Sequence, residues 1–172
     1  FLSTYAIIPE MITVGVSSDQ RMKYFTPTQI DKFKDSSGGA ERFRQFLEQE
    51  LLSELGKKYR TSDYQILTGH SFAGLFSSYV ALTPNTQFDA VMSISPSLWW
   101  DNNELVIKSA ELLQAKRAKP LRWFLSMASE PNEMASAFAL QIKQLQEVFE
   151  TNQLQTADSS KQVYWFYKHF PD

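Results

Sequence analysis

Short apolar runs alternate with longer amphipathic stretches along this chain, and the alternation predicts its secondary structure. The apolar runs are rich in β-branched and aromatic residues, which is typical of strands buried in a parallel sheet. These predicted strands are residues 9–16, 64–68, 90–95, 121–127 and 163–170. Helical stretches are predicted at residues 40–59, 104–118 and 133–150, and a further helix continues from Gly74 to Thr83. The repeated order of strand and helix indicates an α/β fold with a mostly parallel sheet and flanking helices.

Charged and polar residues between and on these elements are interpreted as solvent-exposed surface. Helix 40–59 places its apolar residues on one face and its charged residues on the other. The charged side chains expected in solvent are Glu48, Glu50, Lys57 and Lys58. A modestly basic group that includes Arg117 is interpreted as an exposed helix end. Residues 17–38 are polar and include proline and glycine, so we expect a long loop there.

Composition narrows the classes of function that the chain could serve. Of its 172 residues, 43% are hydrophobic and 21% are charged, as in ordinary globular domains. The 17 basic residues nearly balance the 19 acidic ones, so the chain lacks the basic excess of a nucleic-acid-binding module. No apolar run approaches the roughly 20 residues that span a bilayer. Cysteine is absent, which excludes disulfides, thiolate metal sites and a cysteine nucleophile.

The segment Gly69-His70-Ser71-Phe72-Ala73-Gly74 carries the strongest chemical signal. It lies between a predicted strand and a predicted helix, and a sharp turn there would expose the Ser71 hydroxyl above the sheet as a nucleophile. The backbone N–H of Phe72 would then point to a developing oxyanion, aided by the helix N-terminus. Ala73 departs from the usual Gly-x-Ser-x-Gly pattern. The alternative interpretation is that Ser71 only caps the helix.

Partners for Ser71 are sought later in the chain, because elbow hydrolases order their residues as serine, acid and histidine. The loop after strand 121–127 contains Glu130, which is the best candidate for the acid, with Glu133 as the second candidate. His70 is expected to pack or hydrogen-bond beneath the elbow, since neighbouring side chains on a strained turn point apart. His169 lies inside the last predicted strand, where a structural role is the more common one.

Several segments resemble the esterase family of α/β-hydrolases, in its enterochelin-esterase-like branch from bacterial siderophore metabolism. One of them is the run Ser95-Pro96-Ser97-Leu98-Trp99-Trp100-Asp101-Asn102, of which Ser95 to Trp100 is the most specific part. The elbow segment, residues 88–90, the start from Ile8 to Thr28 and residues 38–43 also look like that branch. The resemblance covers nearly the whole chain.

The resemblance implies that Ser71 is the nucleophile and that the acid, where one is used, lies in the loop containing Glu130. The family's histidine follows a Pro-x-x-x-His-like stretch, so we expect it beyond Asp172. The family also has three strands and a helix before the segment at Pro9, and its second oxyanion donor follows the third of those strands. An eight-stranded hydrolase needs about 240 residues at roughly 30 per strand–helix unit. We therefore expect residues 1–172 to form a single α/β-hydrolase domain that is incomplete at both ends.

The predicted positions of two tryptophans and one arginine make them candidates to contact a substrate. Trp99 and Trp100 come after strand 90–95, at the sheet edge where ligands bind in such folds. They could stack on flat aromatic or cyclic esters, or they could form a core aromatic pair that covers the sheet end. Arg21, in the long loop, could meet an anionic substrate such as a catecholate complex, or it could remain solvated.

These features predict a serine hydrolase that cleaves carboxylic esters through an acyl-enzyme on Ser71, and siderophore-type esters are candidate substrates. The expected partner is a small-molecule ester, with no nucleic acid, no membrane span and no metal or organic cofactor. Two alternatives stay open. One is a binding or regulatory relative that has lost turnover, which Ala73 and the missing histidine support. The other is an acyltransferase, in which an acceptor alcohol replaces water.

Overall fold

The computed structural model describes residues 9–128, 132–151 and 163–171. Four parallel strands form one sheet in which they lie side by side in sequence order. The strands are β1 (Ile66–His70), β2 (Ala90–Ile94), β3 (Leu121–Ala128) and β4 (Val163–Phe170). The helices are α1 (Arg21–Phe25), α2 (Ala40–Gln45), α3 (Leu52–Lys58), α4 (Phe72–Leu82), α5 (Trp100–Gln114) and α6 (Asn132–Thr151). The predicted α/β fold with a parallel sheet and flanking helices is confirmed.

The segment 9–16 departs from the prediction, because it has no regular secondary structure. Its apolar side chains are exposed, and these are Met11, Ile12, Val14 and Val16. An apolar, β-branched run becomes a strand only where a neighbouring strand accepts its backbone hydrogen bonds. Among the described residues β1 is an edge strand that pairs with β2 alone, and segment 9–16 does not extend the sheet.

The two faces of the sheet differ in how well they are covered. One face packs under helices, and its central side chain Trp123 is buried with its ring 5.6 Å from that of Phe149 in α6. The other face carries apolar side chains that remain exposed in the described part of the chain: Ile66, Met92, Ile94 and Phe166. A parallel sheet usually has both faces covered. The described residues thus build one packed face and leave the other open.

Helix 40–59 is confirmed in position but contains a π-helical turn, Phe46–Leu51, between α2 and α3. The interpretation of Glu48 as solvated surface is wrong, because its side chain lies in this turn and the residue is only 6% exposed. The Glu48 carboxylate pairs with Arg44 and accepts hydrogen bonds from Thr86 Oγ1 at 2.6 Å and Gln87 N at 3.3 Å. The turn that precedes β2 covers this part of the helix. The pattern of charges along the helix does not indicate which distant segment packs on it.

Arg117 also differs from the expectation of an exposed helix end. Its guanidinium is buried and donates to the Ala81 carbonyl oxygen at 2.6 Å and to the Thr83 carbonyl oxygen at 3.0 Å. These carbonyls lie at the C-terminal end of α4, where a basic side chain stabilises groups that lack intrahelical partners. Burial lowers the pKa of Arg117 to about 10. Arg117 therefore anchors the end of α4 that is distant from Ser71.

The predicted loop 17–38 contains two short helical pieces, α1 and a 3₁₀ segment at Asp31–Ser36. Thr26 is fully buried between them, where its hydroxyl donates to the Met22 carbonyl oxygen at 2.8 Å and accepts from Gly38 N at 2.8 Å. Phe25 packs on Phe76 of α4 with ring centroids 6.0 Å apart. This segment therefore packs as a layer on α4.

Helix α5 ends at Gln114, earlier than the predicted stretch 104–118, and its first residues are not regular helix. Asp101, Asn102 and Asn103 all have positive φ angles, of 50°, 54° and 65°. Asp and Asn tolerate this left-handed conformation better than most residues, so the regular helix starts at Glu104. No helix in the described part of the chain is long and apolar enough to cross a membrane.

Candidate active site

Ser71 connects β1 to α4 in a strained backbone conformation. Its φ of 58° and ψ of −119° lie in a region that residues with a side chain rarely occupy. Three backbone hydrogen bonds hold it there: Ser71 N donates to the Ile94 carbonyl oxygen at 3.1 Å, and its own carbonyl oxygen accepts from Leu75 N at 2.9 Å and Ser97 N at 3.1 Å. Such strain persists only where the surroundings enforce it, and it clusters at functional sites.

Two glycines make this turn sterically possible. A Cβ on Gly69 would lie 2.0 Å from the Ala73 carbonyl oxygen, and a Cβ on Gly74 would lie 2.9 Å from both the Ile94 carbonyl oxygen and Pro96 Cα. The close approach of α4 to the turn after β2 thus requires glycine at position 74. The methyl group of Ala73 fits beside it, which accounts for the departure from the usual pattern.

The Ser71 hydroxyl does not cap α4, since Ser71 makes no side-chain hydrogen bond to the helix although it occupies the N-cap position. This observation disfavours the alternative in which Ser71 only caps the helix. The hydroxyl oxygen instead lies 3.4 Å from Ser97 Oγ, in the turn after β2. Phe72 is the first residue of α4, where backbone N–H groups have no intrahelical acceptor and the helix dipole favours negative charge.

The two tryptophans occupy different environments. Trp100 is 3% exposed, and its Nε1 donates to the Thr28 carbonyl oxygen at 3.2 Å and to Thr28 Oγ1 at 3.1 Å. Its ring also stacks on that of Phe33, with the two centroids 6.3 Å apart. The buried position of Trp100 favours the alternative in which it packs in the core. Trp99 is 41% exposed, and its ring packs edge-to-face with that of Phe72, with the two centroids 5.8 Å apart. Trp99 therefore presents an aromatic face beside the elbow.

The other predicted substrate-contacting residue, Arg21, lies exposed at the start of α1. Among the described residues, none of the hydrogen bonds or ring contacts around the elbow involves Arg21. Its role as a substrate contact therefore stays a prediction.

The candidate acids and histidines are not assembled around Ser71 in the described residues. Glu130 lies outside them, and Glu133 is described only as part of the backbone of α6. His70 is exposed at the end of β1 opposite Ile94, so the expectation that it packs beneath the elbow is wrong. His169 is exposed in β4 opposite Met127. No group of three or more acidic or histidine side chains in the described ranges could hold a metal ion.

The structure adds Ser95 and Ser97, to which the sequence assigned no individual role. Ser95 has a φ of 40°, its backbone N donates to the Ser126 carbonyl oxygen at 2.7 Å, and its Oγ accepts from Ala128 N at 3.3 Å. Ser97 contacts Ser71 through both its backbone and its side chain. The turn 95–97 thus joins the elbow to the end of β3. The sequence feature that could have indicated this turn is the pair of serines on either side of Pro96, at the end of a predicted strand.

Comparison with known proteins identifies the family. The Esterase family model, described as "Putative esterase", matches residues 3–171. This chain belongs to the esterase family. Its curated relatives include the ferri-bacillibactin esterase BesA of Bacillus subtilis, which is 33% identical over 140 residues. That match covers 70% of this chain and 48% of BesA, so the chain spans about half the length of this relative.

Solved structures show the same fold as this esterase-family chain. The IroE-like serine hydrolase from Shewanella oneidensis superimposes with a TM-score of 0.73 at 22% identity, over 90% of this chain and 51% of its own. The BES protein from Bacillus cereus gives a TM-score of 0.69 at 25% identity, over 93% of this chain and 59% of its own. The four strands and their helices therefore correspond to a part of the α/β-hydrolase fold.

Replacing Gly69 by alanine is expected to disrupt the elbow, because the added methyl carbon would meet the Ala73 backbone and force β1 and α4 apart. In the full-length protein we expect a loss of about 3 kcal/mol of unfolding free energy, measured by urea denaturation. Gly56→Ala is the matched control, since the nearest atom to its Cβ is 3.9 Å away, and it should be neutral or stabilising by up to about 1 kcal/mol. Equal stabilities for the two variants would contradict the steric account.

Proposed function

We propose that this chain carries the nucleophile of a serine hydrolase that cleaves carboxylic esters. The observation that supports this most strongly is the backbone of Ser71, which is held at φ 58° between β1 and α4 while its hydroxyl makes no helix cap. Strain of this kind is maintained by three backbone hydrogen bonds and two obligatory glycines. Membership of the esterase family supports ester hydrolysis as the reaction class.

In the proposed reaction, Ser71 Oγ attacks the ester carbonyl carbon while a histidine base takes its proton. The carbonyl oxygen becomes an oxyanion, to which the Phe72 N–H donates from the first position of α4. Collapse of this intermediate breaks the ester C–O bond, and the leaving alcohol takes the proton from the histidine. The same histidine then takes a proton from water, which attacks the acyl carbon. The carboxylic acid product leaves and the Ser71 hydroxyl is restored. Glu130, in the segment after β3, is proposed to orient the histidine.

Siderophore-type esters are the proposed substrate class. The name of BesA records ferri-bacillibactin esterase activity, and a relative from Emericella nidulans is named a siderophore enterobactin esterase. Trp99 supports an aromatic or cyclic substrate, because its exposed ring lies against Phe72 beside the elbow. We propose Trp99 as the stacking residue and assign Trp100 to support it from beneath, since the two ring centroids are 6.3 Å apart. The departure at Ala73 is compatible with a catalytic elbow, because the close contacts that exclude a side chain fall at Gly69 and Gly74.

A fluorophosphonate probe applied to the full-length protein is expected to form a covalent adduct on Ser71, because the reagent requires an activated serine hydroxyl. Ser71→Ala should abolish both labelling and hydrolysis of a p-nitrophenyl ester. Ser109→Ala is the matched control, since Ser109 is buried in α5 and donates only to its own helix at the Val106 carbonyl oxygen. Its labelling should equal that of the unmodified protein. A full-length protein that folds but is never labelled at Ser71 would refute the proposed function.

Replacing Trp99 by alanine is expected to weaken binding of aromatic esters selectively. Loss of stacking is worth about 0.5–1.5 kcal/mol, so kcat/KM for a benzoyl ester should fall about two- to twelvefold. Steady-state kinetics with an acetyl ester of the same alcohol provides the comparison and should change less than about twofold. Ile107→Ala, an exposed apolar residue of α5, is the control variant. Equal losses for the two esters would show that Trp99 does not select aromatic acyl groups.

A further inference from the structure

A second hydroxyl lies beside the Ser71 hydroxyl. Ser97 Oγ is 3.4 Å from Ser71 Oγ, and no other side chain in the described ranges forms a hydrogen bond with that oxygen. Ser97 is a buried residue, only 5% exposed. A buried hydroxyl favours a position in which it has a hydrogen-bond partner. Because it lies next to the proposed nucleophile Ser71, the Ser97 hydroxyl is a candidate for a role in its chemistry.

The position of Ser97 relative to Ser71 is fixed by the backbone. Ser97 N donates to the Ser71 carbonyl oxygen at 3.1 Å, and Ser71 N donates to the Ile94 carbonyl oxygen at 3.1 Å. The intervening Pro96 packs so closely on α4 that a Cβ on Gly74 would lie 2.9 Å from its Cα. These contacts hold the two serines together without any contribution from the Ser97 hydroxyl. Removal of that hydroxyl alone should leave the turn in place.

The chemistry of two adjacent hydroxyls favours one direction of donation during the reaction. A serine hydroxyl has one donor and two acceptor sites. When the base takes the Ser71 proton, the oxygen gains negative charge, and a hydrogen bond to a charged oxygen is about twice as strong as a neutral one. The present separation is longer than the usual distance of about 2.7–2.8 Å between hydroxyl oxygens. Catalytic hydrogen bonds are often long without substrate and shorten as charge develops.

We propose that Ser97 is a positioning residue that donates its hydroxyl hydrogen to Ser71 Oγ. The donation holds the Ser71 side chain in one rotamer, directs the Ser71 proton towards the base and stabilises the oxygen while it is being deprotonated. Ser97 keeps its own proton throughout, and no bond to it forms or breaks. This inference rests on the proposed function, because it assigns a role in the activation of the Ser71 nucleophile.

The test compares Ser97→Ala with Ser97→Thr in the full-length protein. We expect S97A to slow fluorophosphonate labelling of Ser71 and to lower kcat for a p-nitrophenyl ester, each about tenfold, with KM changed less than about twofold. S97T retains the hydroxyl and should label within about threefold of the unmodified rate. Ser109→Ala again provides the buried-serine control.

Specific results would overturn the proposal. These are labelling by S97A within twofold of the unmodified rate, a loss confined to KM, or an S97T variant that folds normally yet labels as slowly as S97A. If S97A melts more than about 5 °C lower, S97C replaces it, since a thiol fills the space but donates weakly, and the same slowing is expected. Failure of the unmodified protein to label at Ser71 would refute the proposed function itself. Normal labelling of that protein with an unaffected S97A would refute only the role of Ser97.

Discussion

The close approach of β1, α4 and the turn 95–97 around Ser71 is the constraint on which the site depends. Without side chains at positions 69 and 74, the backbone carbonyls of Ala73 and Ile94 come close to the glycine Cα atoms, and Ser71 takes a positive φ. The strain at Ser71 costs on the order of 1–3 kcal/mol, which the surrounding hydrogen bonds must offset. Any larger residue at either glycine would separate the helix from the strand and release the turn.

Other parts of the fold hold the elements that make this approach. Arg117 donates to the carbonyl oxygens at the far end of α4, and Glu48 binds the turn that precedes β2. At the near end, Trp100 links α5 to Thr28 through two hydrogen bonds and supports the ring of Phe72 at 5.7 Å. Polar groups buried at a distance from the elbow therefore fix the relative positions of α4 and β2, while the aromatic rings shape the surface beside Ser71.

The sequence predicted the features that depend on local pattern and missed those that depend on long-range packing. Four strands, helix α4 and the elbow at Ser71 follow from apolar periodicity and from small residues at a strand–helix junction. Segment 9–16 has the composition of a strand, but composition does not supply a neighbour with which to pair. The charge pattern predicts solvent exposure for Glu48 and Arg117, because their partners Thr86 and Ala81 are more than 30 residues away in the chain. The contact between Ser71 and Ser97 could not be predicted either, because 26 residues separate the two serines in the chain.

We propose that the strained turn at Ser71 serves to form a covalent acyl-enzyme. The most direct measurement is mass spectrometry of the full-length protein, quenched with acid during turnover of an ester that acylates quickly and deacylates slowly. We expect an increase equal to the acyl mass on the peptide that contains Ser71, and we expect it to disappear as the ester is exhausted. Steady product release with no covalent adduct, or an adduct on a different residue, would contradict it.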